Sequence, residues 1–110
     1  MSKKARPTRT VSAEIHRLKG KRKSALLKEE VWYEDGKVVA YNLAYINLKR
    51  CRADHGRVLG FDNSHGFHHR HFMGKVESVE FTTFEALSER FIEEVHELWR
   101  REDEEDQGRA

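Results

Sequence analysis

Residues 26–48 read LLKEEVWYEDGKVVAYNLAYINL, two apolar runs rich in β-branched and aromatic residues on either side of Asp35-Gly36. Asp-Gly in this setting predicts a β-hairpin, because a type I′ turn needs positive φ at both central residues. A two-residue loop would pair Tyr33 with Val38, Trp32 with Val39, Val31 with Ala40 and Glu30 with Tyr41. The second strand is apolar on both faces, which favours a central position in the sheet.

Further elements follow downstream of the hairpin. Residues 57–62 predict a third strand, and residues 68–72 with 76–81 predict a fourth strand or two short ones broken near Gly74. A helix is predicted after Thr82, which with Glu85 fits a capping box. Its apolar stripe recurs every three or four residues and comprises Phe84, Leu87, Phe91, Ile92, Val95, Leu98 and Trp99.

These elements predict an α+β fold, in which a four-stranded, mostly antiparallel sheet packs against a C-terminal amphipathic helix. One helix covers only one face of such a sheet. The other face must therefore be solvated, closed by a homodimer or bound to a partner. Aromatic residues on it, among Trp32, Tyr41 and Tyr45, either stack on nucleic-acid bases or belong to the core.

Charge is distributed unevenly along the 110 residues. The chain has 21 Lys and Arg against 19 Asp and Glu, a net charge of +2, yet residues 1–23 hold nine basic and one acidic side chain while residues 85–110 hold ten acidic and four basic ones. No apolar run approaches the roughly 18 residues of a membrane helix. The N-terminus lacks the apolar stretch of a signal peptide, and the single Cys51 cannot form an internal disulfide. We therefore expect a cytoplasmic protein that makes no membrane contact.

Three segments are predicted from this distribution. Residues 1–23 form a basic N-terminal arm, in which the only ordered element we expect is a short helix over Ser12–Leu18. Residues 24–101 form one α+β domain, and residues 102–110 form an acidic, disordered tail. The arm has two interpretations. In the first, its cations, including Lys21, Arg22 and Lys23, follow a nucleic-acid backbone. In the second, the arm remains solvated or folds back on the acidic C-terminus.

The densest polar cluster is GFDNSHGFHHRHF at residues 60–72. On a strand, His69 and His71 share one face while His68 and Arg70 share the other. Three interpretations stay open: a polar turn fixed by Asp62 and Asn63; a metal site, although no HExxH-type signature is present; and a phosphodiester site. In the last, His69 and His71 serve as acid and base, Asp62 orients an imidazole and Arg70 binds the phosphate.

The cluster also resembles a known family. GFDNSHGFHHRH, then Gly74 and FTTFEALSERFIEEV, is similar to the TumE toxins of toxin–antitoxin systems, over roughly residues 25–99. The matching positions are Phe61, Asp62 and Asn63, then His69, Arg70 and His71. The resemblance implies an intracellular toxin held inactive by a cognate antitoxin, commonly a helix-turn-helix protein.

RNA is the most frequent target of toxins of this size, so we expect an endoribonuclease that needs no metal or other cofactor. Its RNA contacts would include Asn63, His65 and His68 beside the basic arm. The alternative is a non-enzymatic module that binds nucleic acid or protein. A metal-dependent enzyme is a third interpretation and would require Asp62 and the histidines to converge.

Overall fold

The computed structural model describes residues 8–108, apart from the side chain of His65. It contains six strands and one long helix: β1 (Arg9–Arg17), β2 (Leu26–Glu34), β3 (Lys37–Ile46), β4 (Arg57–Asp62), β5 (His69–Phe72), β6 (Lys75–Ser78) and α1 (Phe84–Gly108). Short 3₁₀ turns lie at Gly20–Arg22, Asp54–Gly56 and Ser64–Gly66.

The six strands form one sheet in the order β1-β2-β3-β4-β5-β6, and every neighbouring pair is antiparallel. The predicted α+β class is confirmed, but the sheet has six strands instead of four. One additional strand arises because β5 and β6 are separate, which agrees with the prediction of two short strands broken near Gly74. Met73 (φ 49°) and Gly74 (φ 85°) make a tight turn between them.

The other additional strand is β1, which replaces the helix predicted over Ser12–Leu18. Each of its nine residues pairs with β2 in an unbroken antiparallel register, although all nine are exposed. Its apolar residues Val11 and Ile15 lie on one face, and the polar Ser12 and Glu14 lie on the other. The hydrogen bonds to β2, which sequence reasoning did not anticipate, order this segment without burial. Residues 1–7 of the predicted arm lie outside the described residues.

The hairpin forms where predicted, but its register changes beside the turn. Tyr33 lies opposite Val38 as predicted, whereas Trp32 lies opposite Ala40, Val31 opposite Tyr41 and Glu30 opposite Asn42. A β-bulge leaves Val39 without a partner on β2 and causes this one-residue shift. The bulge brings Tyr41 to the buried face and Trp32 to the other.

Helix α1 covers one face of the sheet. Leu87, Phe91 and Val95 are buried against a core from β3 and β4 that includes Leu43, Tyr45, Leu59 and Phe61. Ile92, predicted to join the apolar stripe, is 42% exposed. The cap is Thr83 instead of Thr82, since Oγ1 of Thr83 accepts from the Ala86 amide at 3.1 Å. Within residues 8–108, no helix is long and apolar enough to cross a membrane.

The acidic end of the chain is helical as far as Gly108, not disordered as predicted. Glu102 is buried and accepts one bifurcated hydrogen bond from the Tyr45 hydroxyl, whose oxygen lies 3.0 Å from each carboxylate oxygen. Arg22 donates to Glu102 at 3.3 Å and to Asp103 at 2.7 Å, and Arg50 donates to Asp106 at 2.8 Å. Basic side chains from two connections therefore hold the acidic turns against the sheet.

Candidate functional site

The face of the sheet opposite α1 carries Asp62, His69 and His71. Asp62 pairs with His69 across β4 and β5, and Gly60 pairs with His71. Strand alternation puts His69 and His71 on the same face, as predicted. All three polar side chains line an open groove of about 960 Å³, which continues over Trp32 and Val11 toward the β1 edge.

Asp62 is the centre of this cluster and is only 7% exposed. Its Oδ2 lies 2.7 Å from Nε2 of His71, and its Oδ1 lies 3.4 Å from Nδ1 of His69. Oδ1 also accepts from the Ser64 amide at 3.2 Å, which closes the turn after β4. One carboxylate therefore orients both imidazoles and the loop beside them.

The electrostatics of Asp62 keep it ionised. Burial by itself would raise the pKa of the carboxyl group, but the Ser64 amide and the two imidazoles outweigh burial, so the pKa lies below its usual value of 3.8. Imidazoles are cationic at the acidic pH where carboxyl groups titrate, and they favour the carboxylate there. Near neutral pH Asp62 is thus a fixed anion and hydrogen-bond acceptor.

His71 has both ring nitrogens engaged. Nη2 of Arg57 donates to Nδ1 at 3.0 Å, so this nitrogen is an acceptor and the ring proton belongs on Nε2, where it points at Asp62. The hydrogen-bond network assigns this tautomer. His71 consequently acts as a link between a guanidinium and a carboxylate.

His69 differs from His71 in this respect. Its Nδ1 faces Asp62, and among the described residues no hydrogen bond engages its Nε2. An imidazole whose Nδ1–H donates to a carboxylate presents Nε2 as a proton acceptor. The groove is open to solvent, so a ligand can approach this nitrogen.

Arg57 completes the cluster and was missed by the sequence-based assignment. A second β-bulge leaves Val58 without a partner on β3, and Arg57 pairs with Ile46 on the open face. The stem of Arg57 crosses Gly60, where an added Cβ would lie 2.6 Å from the Arg57 Cδ. Nε donates to Asp54 at 2.6 Å, and Nη1 lies 3.5 Å from the Asp62 carboxylate. The Arg57-x-x-Gly60 spacing is the one signal in the sequence, and it has meaning only with the bulge.

Asn63 has a structural task in this arrangement. Its Oδ1 accepts from the Tyr41 amide at 3.0 Å, and its Nδ2 donates to the Val39 carbonyl at 3.0 Å. The pairing of β3 with β4 ends at Asn42 and Asp62, so the Asn63 side-chain amide bonds two β3 backbone groups that lie beyond the last β4 pair. Asn63 still borders the groove.

Arg70 and His68 do not join the cluster, although both were predicted to contribute. Arg70 lies on the helix-covered face, where Nε donates to Glu94 at 2.9 Å and Nη1 to Glu77 at 3.2 Å. His68 stacks on Phe81 with ring centroids 4.0 Å apart and is hydrogen-bonded to the Tyr41 hydroxyl at 2.6 Å. Arg57, not Arg70, is therefore the arginine that contacts Asp62 and His71.

The basic residues that were predicted to contact nucleic acid lie at the end of the sheet opposite β6. Lys21 pairs with Asp103 at 2.7 Å, and Arg22 is largely enclosed by Glu102, Asp103 and the Trp99 ring. This part of the arm folds back on the acidic end, which was one of its two interpretations. Lys23 is exposed, and the side chain of His65 lies outside the described residues.

Of the three aromatic residues considered for stacking, Tyr41 and Tyr45 are buried in the core, at 2% and 0% exposure. Burial, followed by the charge of Asp62, raises the pKa of Tyr41 to about 12. Trp32 and Tyr41 both border the groove, but their burial assigns the two tyrosines to the core.

Metal ligation is chemically conceivable at this cluster. Asp62, His69 and His71 each offer one ligand atom, and these atoms lie within 4.8 Å of one another. The Arg57 guanidinium next to His71 and Asp62 adds a positive charge that disfavours a second cation. Asp54, 2.6 Å from Arg57, and Asp62 carry two negative charges against this single positive one, so the charges of the cluster do not exclude a metal ion.

Comparison with known proteins places the chain in one family. No curated protein and no solved structure matches it significantly. The family described as Toxin TumE matches residues 4–99, which include the whole sheet and most of α1. The resemblance inferred from Phe61 to His71 is thereby confirmed, and the chain belongs to the TumE family of toxins.

Proposed function

We propose that this toxin cleaves RNA without a metal ion, with Nε2 of His69 as the general base. The observation that carries the proposal is the Asp62–His69 pair, in which a buried carboxylate lies 3.4 Å from Nδ1 of a histidine that lines the open groove, while among the described residues no hydrogen bond engages its Nε2. A histidine oriented in this way is suited to proton transfer at neutral pH.

The proposed reaction uses the 2′-hydroxyl group of RNA as the nucleophile. His69 Nε2 takes the 2′-OH proton, the 2′ oxygen attacks the adjacent phosphorus, and the P–O5′ bond breaks to leave a 2′,3′-cyclic phosphate. Water in the open groove protonates the departing 5′ oxygen, and the resulting hydroxide takes the proton held by His69. Each proton is then returned, and no oxidant, reductant or cofactor is consumed.

Arg57 is the proposed phosphate contact. Its Nε and Nη2 are committed to Asp54 and His71, but a guanidinium has five N–H groups, so donors remain for a phosphate oxygen. Charge develops on the phosphorane, and a fixed donor beside it stabilises the transition state more than the ground state. His71 is a positioning residue in this scheme, since it holds Arg57 and Asp62 in place.

Three histidine substitutions test the proposal in cells and in vitro. His69→Ala should abolish growth arrest and lower RNA cleavage by about 10²–10⁴-fold, the usual contribution of a general base. His71→Ala should lower cleavage less, because it only loosens Arg57 and Asp62. His96→Ala is the matched control: His96 is exposed on α1, away from the groove, and this variant should arrest growth like the unmodified chain.

Sequencing of RNA ends after induction of the toxin locates the cleavage sites. We expect new 2′,3′-cyclic phosphate ends in the induced cells, and cleavage by the purified protein that persists in chelator. Cleavage lost in chelator would instead establish the metal-dependent interpretation. Full toxicity of His69→Ala would contradict the proposed base, and growth arrest without RNA cleavage would favour a toxin that acts by binding alone.

The toxin family implies a cognate antitoxin. We infer that it is a helix-turn-helix protein encoded beside this chain, and that both proteins reside in the cytoplasm, where their RNA target would be. Co-expression of the neighbouring gene should restore growth to cells that produce the unmodified chain. Growth that stays arrested would exclude that neighbour as the antitoxin.

A further inference from the structure

Among residues 8–108, no strand lies beside the outer edge of β1. The Asp35 amide donates to the Thr8 carbonyl at 3.0 Å, and the Leu18 amide donates to the Ala25 carbonyl at 3.1 Å. The register between these two bonds is unbroken, so even-numbered residues of β1 bond to β2. The odd-numbered residues, Arg9, Val11, Ala13, Ile15 and Arg17, therefore direct their N–H and C=O groups away from the sheet.

This edge has charged side chains at Arg9, Glu14 and Arg17 but lacks other features that usually protect a sheet margin. Strand β1 is nine residues long and contains neither proline nor lysine, whereas the opposite edge strand β6 has only four residues. Val11 is 56% exposed and Ile15 is 58% exposed, and both lie on the open face on either side of Ala13. A long edge with exposed apolar residues favours pairing with another strand.

We propose that β1 pairs with β1 of a second copy of this chain, antiparallel, with the twofold axis at Ala13. The residues of RTVSAEIHR have nearly symmetric polarity about that alanine. Self-pairing there sets Val11 against Ile15, Ser12 against Glu14, and Thr10 against His16, so apolar residues meet apolar ones and polar residues meet polar ones. An isologous contact requires such self-complementarity.

Alternative registers are less favourable. A shift of the register to the next pair of outward-directed residues, in either direction, places Val11 or Ile15 opposite an arginine. It also shortens the segment over which the two strands pair. Registers that pair odd with even residues set outward-directed N–H and C=O groups against inward-directed ones. In the proposed register Arg9 and Arg17 meet only at the two ends, where Arg9 also lies 3.6 Å from Glu34.

The proposed dimer extends the groove and is independent of the cleavage chemistry. Arg9 and Val11 line the groove at its β1 end. In the paired sheet, Ile15 and Arg17 of the second copy continue this wall, next to Val11 and Arg9. Each groove would thus gain apolar and cationic surface from its neighbour.

Sedimentation of the unmodified chain and of two variants tests the contact. Ala13→Pro removes only an outward-directed N–H, so each copy should keep its fold while the dimer is lost. Ala13→Val retains the amide and serves as the matched control, and it should stay dimeric. The chain is prepared by chemical synthesis and folding, because cells and cell-free translation both depend on the RNA that the toxin is proposed to cleave, and circular dichroism checks that Ala13→Pro is folded.

Thiol cross-linking tests the register, in a Cys51→Ala background. With a short bifunctional reagent, Ala13→Cys should cross-link to itself, Arg17→Cys alone should not, and a mixture of Arg9→Cys with Arg17→Cys should. Self-linking at residue 12 or 14 in place of 13 would show another register and overturn the assignment. A monomeric unmodified chain, including one that pairs through β1 only with an antitoxin, would overturn the dimer itself. So would a dimer that survives Ala13→Pro.

Discussion

Nη2 of Arg57 donates to Nδ1 of His71 at 3.0 Å, and the other ring nitrogen of His71 lies 2.7 Å from Asp62. His71 is therefore held at both ends, while His69 is held by Asp62 at one end only. Two histidines that look equivalent in the sequence thus have different capacities for proton transfer. The general base assigned above follows from that difference.

Gly60→Ala should act on the site through Arg57. The new methyl group would lie 2.6 Å from the Arg57 Cδ and 3.1 Å from the Leu43 carbonyl oxygen, so the arginine stem must move away from His71. We expect RNA cleavage to fall on the order of 10²-fold, as on loss of one fixed transition-state donor. Arg57→Ala should reproduce this loss.

The measurement is a comparison of kcat with KM for the two variants, with Gly36→Ala as a control. Gly36 is in the hairpin turn with φ 77° and has open space around its Cα, so its substitution strains the turn without displacing Arg57. Cleavage by Gly60→Ala at the unmodified rate would contradict the role of Arg57.

Asn63→Ala should destabilise the protein because it leaves the Tyr41 N–H and the Val39 C=O without their partner. The free energy of unfolding should fall by about 2 kcal/mol, as expected for orphaned backbone groups that are partly enclosed. Asn63→Asp keeps the acceptor but loses the donor. In urea denaturation, the unmodified chain should therefore be more stable than both variants. Equal midpoints for all three proteins would contradict the role of the Asn63 side chain in bonding Tyr41 and Val39.

Tyr41 should give the protein a distinct alkaline transition. Its pKa is raised to about 12 from 10.0 because burial and Asp62 disfavour the phenolate. The folded state therefore prefers the neutral phenol, and the associated stability is complete below pH 10.0 and is lost as pH rises through about 12.

Tyr41→Phe isolates this contribution. At neutral pH it should be less stable by about 1 kcal/mol, since the hydroxyl loses its bond to His68. Above pH 10.0 the difference should narrow and then reverse, because phenylalanine does not ionise. Denaturant midpoints across this range, together with tyrosinate absorbance, give the result. A difference in stability between Tyr41→Phe and the unmodified chain that does not change with pH would contradict the raised pKa of Tyr41.

Glu102→Ala should be the most destabilising change at the acidic end of α1. It leaves the Tyr45 hydroxyl and the Arg22 guanidinium without their buried acceptor, at a cost of about 3 kcal/mol. Glu105→Ala is the control, because the side chain of Glu105 is 61% exposed and lies 3.6 Å from Arg50. Its effect should be under about 0.5 kcal/mol. Thermal unfolding that fails to separate the two variants would exclude Glu102 as the anchor of the helix end.

Local patterns were sufficient for the elements that carry their own signal. The Asp35-Gly36 turn, the apolar stripe of α1 and the face shared by His69 and His71 follow from turn chemistry and from periods of 3.6 and 2. The TumE relationship was likewise visible in the residues from Phe61 to His71, and the family match confirms it. Site roles assigned to these residues remain predictions.

Only the tertiary structure decided how residues 9–17 and the last described turns of α1 are ordered. Strand β1 and the last turns of α1 bury little apolar surface of their own, so no local pattern predicts them. Hydrogen bonds to β2 order the first, and the contacts of Glu102 with Tyr45 and Arg22 order the second. Both depend on partners distant in sequence.

The tertiary structure also decided which arginine lies beside Asp62 and His71. Strict alternation predicts which residues share a face only while the ladder is regular, and one inserted residue reverses the faces beyond it. The bulge at Val58 brings Arg57 to the open face, whereas regular pairing of β4 with β5 leaves Arg70 under α1. A bulge arises from pairing between strands, so residues 57–62 alone determine a strand but not the face on which Arg57 lies.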